Sequence, residues 1–170
     1  MKKLAAFNNS SSVVIDQSLL SWVLFKAKNS ESKHFRYCLH HDTSSSVQEM
    51  VIAVTKDSLF PPHRHPINKS ESIHLIHGEI ATFIFDQLGH ITNIYHLSNK
   101  NKHGLLQRVE GGVWHLPVCI SDYAIYHEVL AGPYNKKQDV ENAPWAPNTE
   151  DVINLKQYRD DLVSGLINYE

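Results

Sequence analysis

Two cysteines, Cys38 and Cys119, are too few for a disulfide framework, so this chain must hold itself together by burying a core. No apolar run approaches the roughly 20 residues a membrane-spanning helix needs. The start, MKKLAAFNNSSS, has two lysines and then only a four-residue apolar run, too short for the core of a secretion signal. An excess of one charge is missing too. Lys and Arg number 16 against 18 Asp and Glu, and the net charge of -2 gives no electrostatic reason to expect nucleic acid or an anionic membrane as partner. These absences predict a cytoplasmic protein. Its 170 residues suit one domain with a real core. The one excess is histidine, at 12 residues, which composition alone does not explain.

Residues 1–12 are polar and serine-rich and read as a loose terminus. Asp16 can cap a helix in which Leu20, Val23, Leu24 and Ala27 recur at helical spacing, ending near Asn29. From Phe35 to Gly132 the texture turns to β. EMVIAV, SIHLIHG, EIATFIFD, GGVWHLPV and DYAIYHEVL read as strands, with a tight turn at Gly78-Glu79 and a hairpin around Asp86–Gly89. Their rhythm of roughly ten residues is that of a sandwich or barrel. EIATFIFD is apolar on both faces, so its outer face must be covered by another element or a second subunit, and a homodimer is expected. The polar tail after Gly132 reads as an extended surface segment, pinned by Tyr134 and Trp145. A last helix is expected from Thr149 to about Leu162, with Val152, Leu155 and Tyr158 on one face. The organisation is then an N-terminal segment over 1–34, a barrel over 35–132 and an extension over 133–170.

The stretch PPHRHPINKSESIHLIHGE carries the chemistry. His63 and His65 are two apart, and in a strand such side chains share a face, so both imidazoles can reach one point. Pro66 and a polar loop break that strand, and Glu71 opens the next. Downstream, EGGVWHLP makes a glycine turn and places His115 at a strand start. Three imidazoles and a carboxylate suit Fe, Mn, Ni or Zn as divalent ions, with open positions if the geometry is octahedral. Without His115 the set reduces to a facial triad of two histidines and one carboxylate, which would favour oxygen chemistry. An isolated His-x-His is ordinarily surface decoration; here the following Glu, Gly and distant Gly-Gly-x-x-His set it apart.

His63-x-His65, Glu71 and Gly78 resemble the first cupin motif, and Gly112-Val-Trp-His115 resembles the core of the second. The second lacks the usual proline before its turn, and Cys119 stands where an asparagine is usual. HRHPINKSE, FRYCLHHD, VWHLPV and AGPYNKKQDVENAPWAP together resemble the WbuC family of cupin-fold metalloproteins, over roughly residues 14–148. In that family's pattern, Cys38 takes the place of an asparagine. The resemblance implies an all-β jelly-roll barrel with a short N-terminal helix, a divalent metal on His63, His65, Glu71 and His115, and an association with bacterial surface-polysaccharide (O-antigen) biosynthesis.

Three further residues are candidates for catalysis. Arg36 could reach the barrel mouth to hold a phosphate or carboxylate, against the plain alternative of a surface arginine. His40 could line the same mouth, although loop histidines are ordinarily solvated. Glu128, on an otherwise apolar strand, could face the pocket as an acid or base, or else sit on the wet face. His74 and His77 are expected on the opposite face from Glu71 and not as ligands. Lys69 is a solvated loop lysine or a contact for an anion, and Trp114 packs away from His115. Two functions fit: a metal-dependent enzyme on a small polar or sugar-derived substrate (an isomerase or epimerase, or an oxygenase), or a non-catalytic binding module anchored by the metal. A purely structural metal is the plain alternative.

Overall fold

In the computed structural model, which describes residues 4–100 and 103–166, the apolar alternation read above becomes two facing sheets. The strands are β1 (Ala5–Phe7), β2 (His34–Cys38), β3 (Val47–Thr55), β4 (His63–Arg64), β5 (Glu71–His77), β6 (Glu79–Phe85), β7 (Ile91–Ser98), β8 (Leu106–Val109), β9 (Trp114–Cys119), β10 (Tyr123–Ala131) and β11 (Glu141–Asn142). One sheet runs β1-β2-β3-β10-β5-β8, the other β11-β4-β9-β6-β7. Between β3 and β10 the chain passes repeatedly from one sheet to the other. That winding is the cupin jelly-roll barrel.

Gly78 is one of the crossing points. It sits at φ 84°, and a Cβ there would lie 2.2 Å from the Tyr123 carbonyl oxygen. The expected turn is therefore real, but it joins strands of different sheets. The expected hairpin after β6 does form, with β7 as its partner.

The apolar core inside the barrel includes Met50, Ile52 and Val54 of β3, Ile73 and Leu75 of β5, Ile80 of β6 and Tyr126 of β10. Helix α1 (Gln17–Lys28) lies on the outside of the larger sheet. The Asp16 carboxylate accepts from the Leu19 N–H at 2.9 Å, and Leu20, Val23 and Ala27 pack on Val51, Ala53 and Ile125. The outer face of β6 and β9 carries Ala81, Phe83, Phe85, Trp114, Leu116 and Val118. Trp145 and helix α3 (Val152–Gly165), through Tyr158, Leu162 and Val163, cover it. The doubly apolar strand that prompted a dimer is thus buried by the chain's own extension.

Three expectations shift. Ala5–Phe7, within the terminus read as loose, adds to β2 as a parallel edge strand; residues 1–3 of that terminus lie outside the described residues. Helix α3 starts behind an Asp151 cap rather than at Thr149, because the Asp151 carboxylate accepts from the Asn154 N–H. Val152, in the first turn, is exposed, while Leu155 is buried and Tyr158 packs inward as expected, with Arg159 buried as well. Within the extended tail a single turn, α2 (Lys136–Asp139), forms behind Asn135.

Candidate metal centre

His63 lies on β4 and His115 on β9, directly opposite each other in the antiparallel ladder. Cross-strand partners share a face, so both rings enter the barrel, with centroids 4.5 Å apart. His65 follows two residues after His63 on the same side. Its intervening neighbour Arg64 points outward, bonding Glu141 at 2.7 Å and lying over the Trp114 ring. Trp114 faces outward as expected. Glu71 opens β5 in the other sheet and meets the histidines across the barrel. One donor atom from each of His63, His65, Glu71 and His115 lies within 4.8 Å of the others, and all but His63 are buried.

What docks His115 onto the His63–His65 segment is the Gly111-Gly112 turn. The Gly112 N–H donates to the His65 carbonyl at 2.8 Å. A Cβ on Gly111 would lie 2.1 Å from the Pro66 carbonyl oxygen, so no larger residue permits this approach. The proline missing from the usual motif is not needed for the histidine to reach the cluster.

The imidazoles are also oriented from behind. His65 Nδ1 meets the Asp139 carbonyl at 2.6 Å, His115 Nδ1 the Val113 carbonyl at 2.9 Å, and His63 Nδ1 the Pro61 carbonyl at 3.4 Å. A carbonyl only accepts, so each Nδ1 carries the hydrogen; the Nε2 of His63 and of His115 then presents a lone pair, while His65 Nε2 donates to Glu71 Oε2 at 2.9 Å. Asp139 was not legible as a contributor, since its main-chain oxygen does the work and any residue type has one. Its side chain accepts from Lys69 at 2.8 Å, which assigns that lysine to an internal carboxylate.

Burial pushes the Glu71 carboxyl up, but the imidazoles of His115, His65 and His63 outweigh it and hold the group ionised. Burial, with His115 beside it, pushes His63 down to about 3, which keeps it neutral. Burial pushes His65 down, but its bonds to Glu71 and to the Asp139 carbonyl outweigh it and push it up. A cation that takes its Nε2 lone pair displaces the proton shared with Glu71, and the centre then offers three nitrogens and one carboxylate. Glu71 Oε1 and His115 Nε2 are buried without a hydrogen-bond partner and lie 3.7 Å apart. Two lone-pair atoms facing each other in a dry site cost about 1–3 kcal/mol apiece. A divalent cation between them removes that cost, so these residues fit one, and the donor types suit Fe, Mn, Ni or Zn.

Glu128 is on β10 with its side chain toward the interior, in the ladder row of Met50 and Ile73. Burial first, then repulsion from Glu71, pushes its carboxyl up to about 8. Arg36 also faces inward, on β2 opposite Ile52. His40 is engaged elsewhere. Its Nδ1 lies 2.9 Å from the Glu49 main chain and its ring meets Phe7 edge-on, and among the described residues no hydrogen bond ties it to the cluster. His74 stacks on His127 outside the barrel. His77 lies outside the barrel, as expected: it is an even six residues from Glu71, but a register shift in the β5–β10 ladder pairs it with outward-facing Ile125, and its exposed ring stacks on Tyr123. Tyr134 is half-buried beside Lys69 and Asp139 in the lining of an open cavity of about 670 Å³.

Residues 15–97 match a family described as a domain of unknown function, DUF6016. No curated protein matches the sequence. Among solved structures, protein SO0799 from Shewanella oneidensis is similar with a TM-score of 0.57 at 9% identity, over 78% of this chain and 85% of that one. KdgF from a Halomonas species gives 0.47 at 11% identity, over 64% of this chain and 87% of that one. Oxalate decarboxylase from Bacillus subtilis gives 0.47 at 17%, over 58% of this chain but only 24% of that one. At such identities the first likeness bears on fold alone, and the two weaker ones carry no argument about activity. No helix among the described residues is long and apolar enough to cross a membrane.

Proposed function

We propose that this chain is a metal-dependent enzyme acting on a small polar, sugar-derived molecule. The observation that carries the reading is the pair of unpartnered buried atoms, Glu71 Oε1 and His115 Nε2, inside a cluster of four donors. A divalent ion held by His63, His65, Glu71 and His115 would supply a Lewis acid toward a substrate oxygen. Glu128 supplies the proton chemistry. With its carboxyl pushed up to about 8, it holds a proton near neutral pH and can give it to, or once ionised remove it from, a neighbouring atom of the substrate. That pairing fits isomerisation or epimerisation. The WbuC resemblance is the support for placing the substrate in surface-polysaccharide biosynthesis.

The test begins with metal analysis of the purified protein. One ion per chain in the wild type, and a loss in Glu71→Gln, is expected. The protein loaded with Fe, Mn, Ni or Zn is then offered sugar nucleotides in D2O, with deuterium incorporation and O2 uptake as readouts. Glu128→Gln should slow turnover about 100-fold or more while leaving metal content intact. A ligand that binds but is recovered unchanged with every metal would make the chain a binding module instead. Absence of metal from the wild type under all loading conditions would sink both readings.

A further inference from the structure

Three side chains of β2 face the barrel interior: His34, Arg36 and Cys38, opposite Val54, Ile52 and Met50. Arg36 is the unusual one. Its guanidinium has five N–H donors, yet among the described residues its side chain makes a single hydrogen bond, from Nη1 to His34 Nε2 at 3.3 Å. No carboxylate of the described residues lies within ion-pairing distance of it. Lys69, by contrast, is already paired with Asp139. A half-buried, inward-facing arginine with spare donors and no anion beside it is open to an anionic ligand.

The partner it does have is built to aim it. His34 is buried, with its ring against Phe60 at 4.8 Å. Its Nδ1 lies 3.2 Å from the Ser32 carbonyl, which fixes the hydrogen on Nδ1 and leaves Nε2 as an acceptor for Arg36. Burial and the neighbouring guanidinium push the imidazole down to about 4, so it stays neutral and does not cancel or repel an incoming anion. The main chain is braced as well, since the Arg36 N–H donates to the Leu4 carbonyl at 3.0 Å, and small Ala5 stands beside it in the ladder.

We propose that Arg36, aimed by His34, is the seat for an anionic group, a carboxylate or a phosphate, of the molecule that binds at the metal cluster. This rests on reading that cluster as a ligand site. Across the ladder Arg36 stands in the row of Ile52 and Tyr126, next to the row of Met50 and Glu128 on the same interior face, so the seat and Glu128 share one side of the sheet. Arg36 is separated from Glu71 by three strand spacings and four residues of strand, about 19 Å across a flat sheet before either side chain reaches inward. A molecule that touches both ends is therefore elongated, such as a sugar acid or a sugar phosphate, and a bare anion can occupy either end, so the Arg36 variants are what separate the two. His34 is a positioning residue and touches no substrate.

The experiment is calorimetric titration of metal-loaded protein with inorganic phosphate and, separately, with acetate; whichever binds more tightly identifies the group. Arg36→Met should weaken that binding tenfold or more, with metal content unchanged, and Arg36→Lys should fall between. His34→Leu should weaken it several-fold, His34→Gln should restore it, and His34→Leu should have no further effect in the Arg36→Met background. A merely structural His34 would lower affinity equally in both backgrounds. The proposal is overturned if neither anion binds the wild type, or if Arg36→Met and Arg36→Lys both bind as the wild type does. If the wild type takes up no metal, the cluster reading fails by itself; anion binding that still depends on Arg36 would leave the seat standing.

Discussion

At the scale of single residues, the site depends on side chains that never touch it. Gly111 packs so close to Pro66 that a methyl group has no room, and this contact fixes His115 against His65. Gly111→Ala should therefore lower metal affinity about tenfold or more, comparable to the loss of a supporting contact at other metal sites, while circular dichroism stays that of the wild type. Titration of the apo variant with Zn(II) measures it, and an unchanged affinity would show that the cluster tolerates a shifted turn. Glu128 makes a different prediction. Its folded value, about 8, lies above the ordinary carboxylate value of 4.5. Such a group favours the fold below the lower value and loses that contribution as pH rises through the upper one. Metal-free Glu128→Gln should thus gain in Tm over the wild type as pH goes from about 5 to about 8, and the gap should close below about 4.5. A gap independent of pH would mean that Glu128 ionises normally. The spacing of His63, His65 and Glu71 was legible because strand parity is a rule about sequence. Asp139 and His34 were not, since one acts through its main chain and the other through a tautomer set by the main-chain carbonyl of Ser32.

At the scale of elements, the barrel strands and α1 could be read because each buries a face at its own period, two for the strands and 3.6 for the helix. β1, β8 and β11 could not. They have two to four residues, too short for any alternation to register, and they exist because a neighbouring edge offers hydrogen bonds. Which sheet a strand joins was equally hidden, as Gly78 signals a sharp turn without saying where the chain goes next. The C-terminal helix was expected with Leu155 and Tyr158 inward, and both are; it starts later than expected, so Val152 falls in the first turn, where it is exposed. Leu155 is 3% exposed while Val152 is 59% exposed. Leu155→Ala should cost about 2–3 kcal/mol in urea unfolding, and Val152→Ala less than about 0.5 kcal/mol. Equal effects would contradict the observed phase of α3.

At the scale of the whole molecule, the four donors do not belong to one sheet. His63 and His115 lie on strands of the smaller sheet and His65 follows one of them, whereas Glu71 belongs to the larger one. An ion at the centre therefore ties the two layers of the barrel together at one end. The unfolded chain cannot assemble these residues, which lie between positions 63 and 115, at comparable cost, so the ion binds the folded state in preference. At a free-metal concentration of 100 times Kd this preference contributes about 2.7 kcal/mol. For a chain of this size that corresponds to a Tm rise of about 5–11 °C. Calorimetry of the metal-loaded protein, before and after chelation, should show that rise and its loss. Glu71→Gln should abolish most of the metal-dependent gain, because it removes the larger sheet's own ligand and leaves three histidines on one side of the barrel. A protein that retains one ion per chain yet melts at the same temperature with and without it would show that the ion sits elsewhere, or that the unfolded chain holds it equally well. Either outcome would separate the cluster from the fold, and the two unpartnered atoms at its centre would then need another occupant.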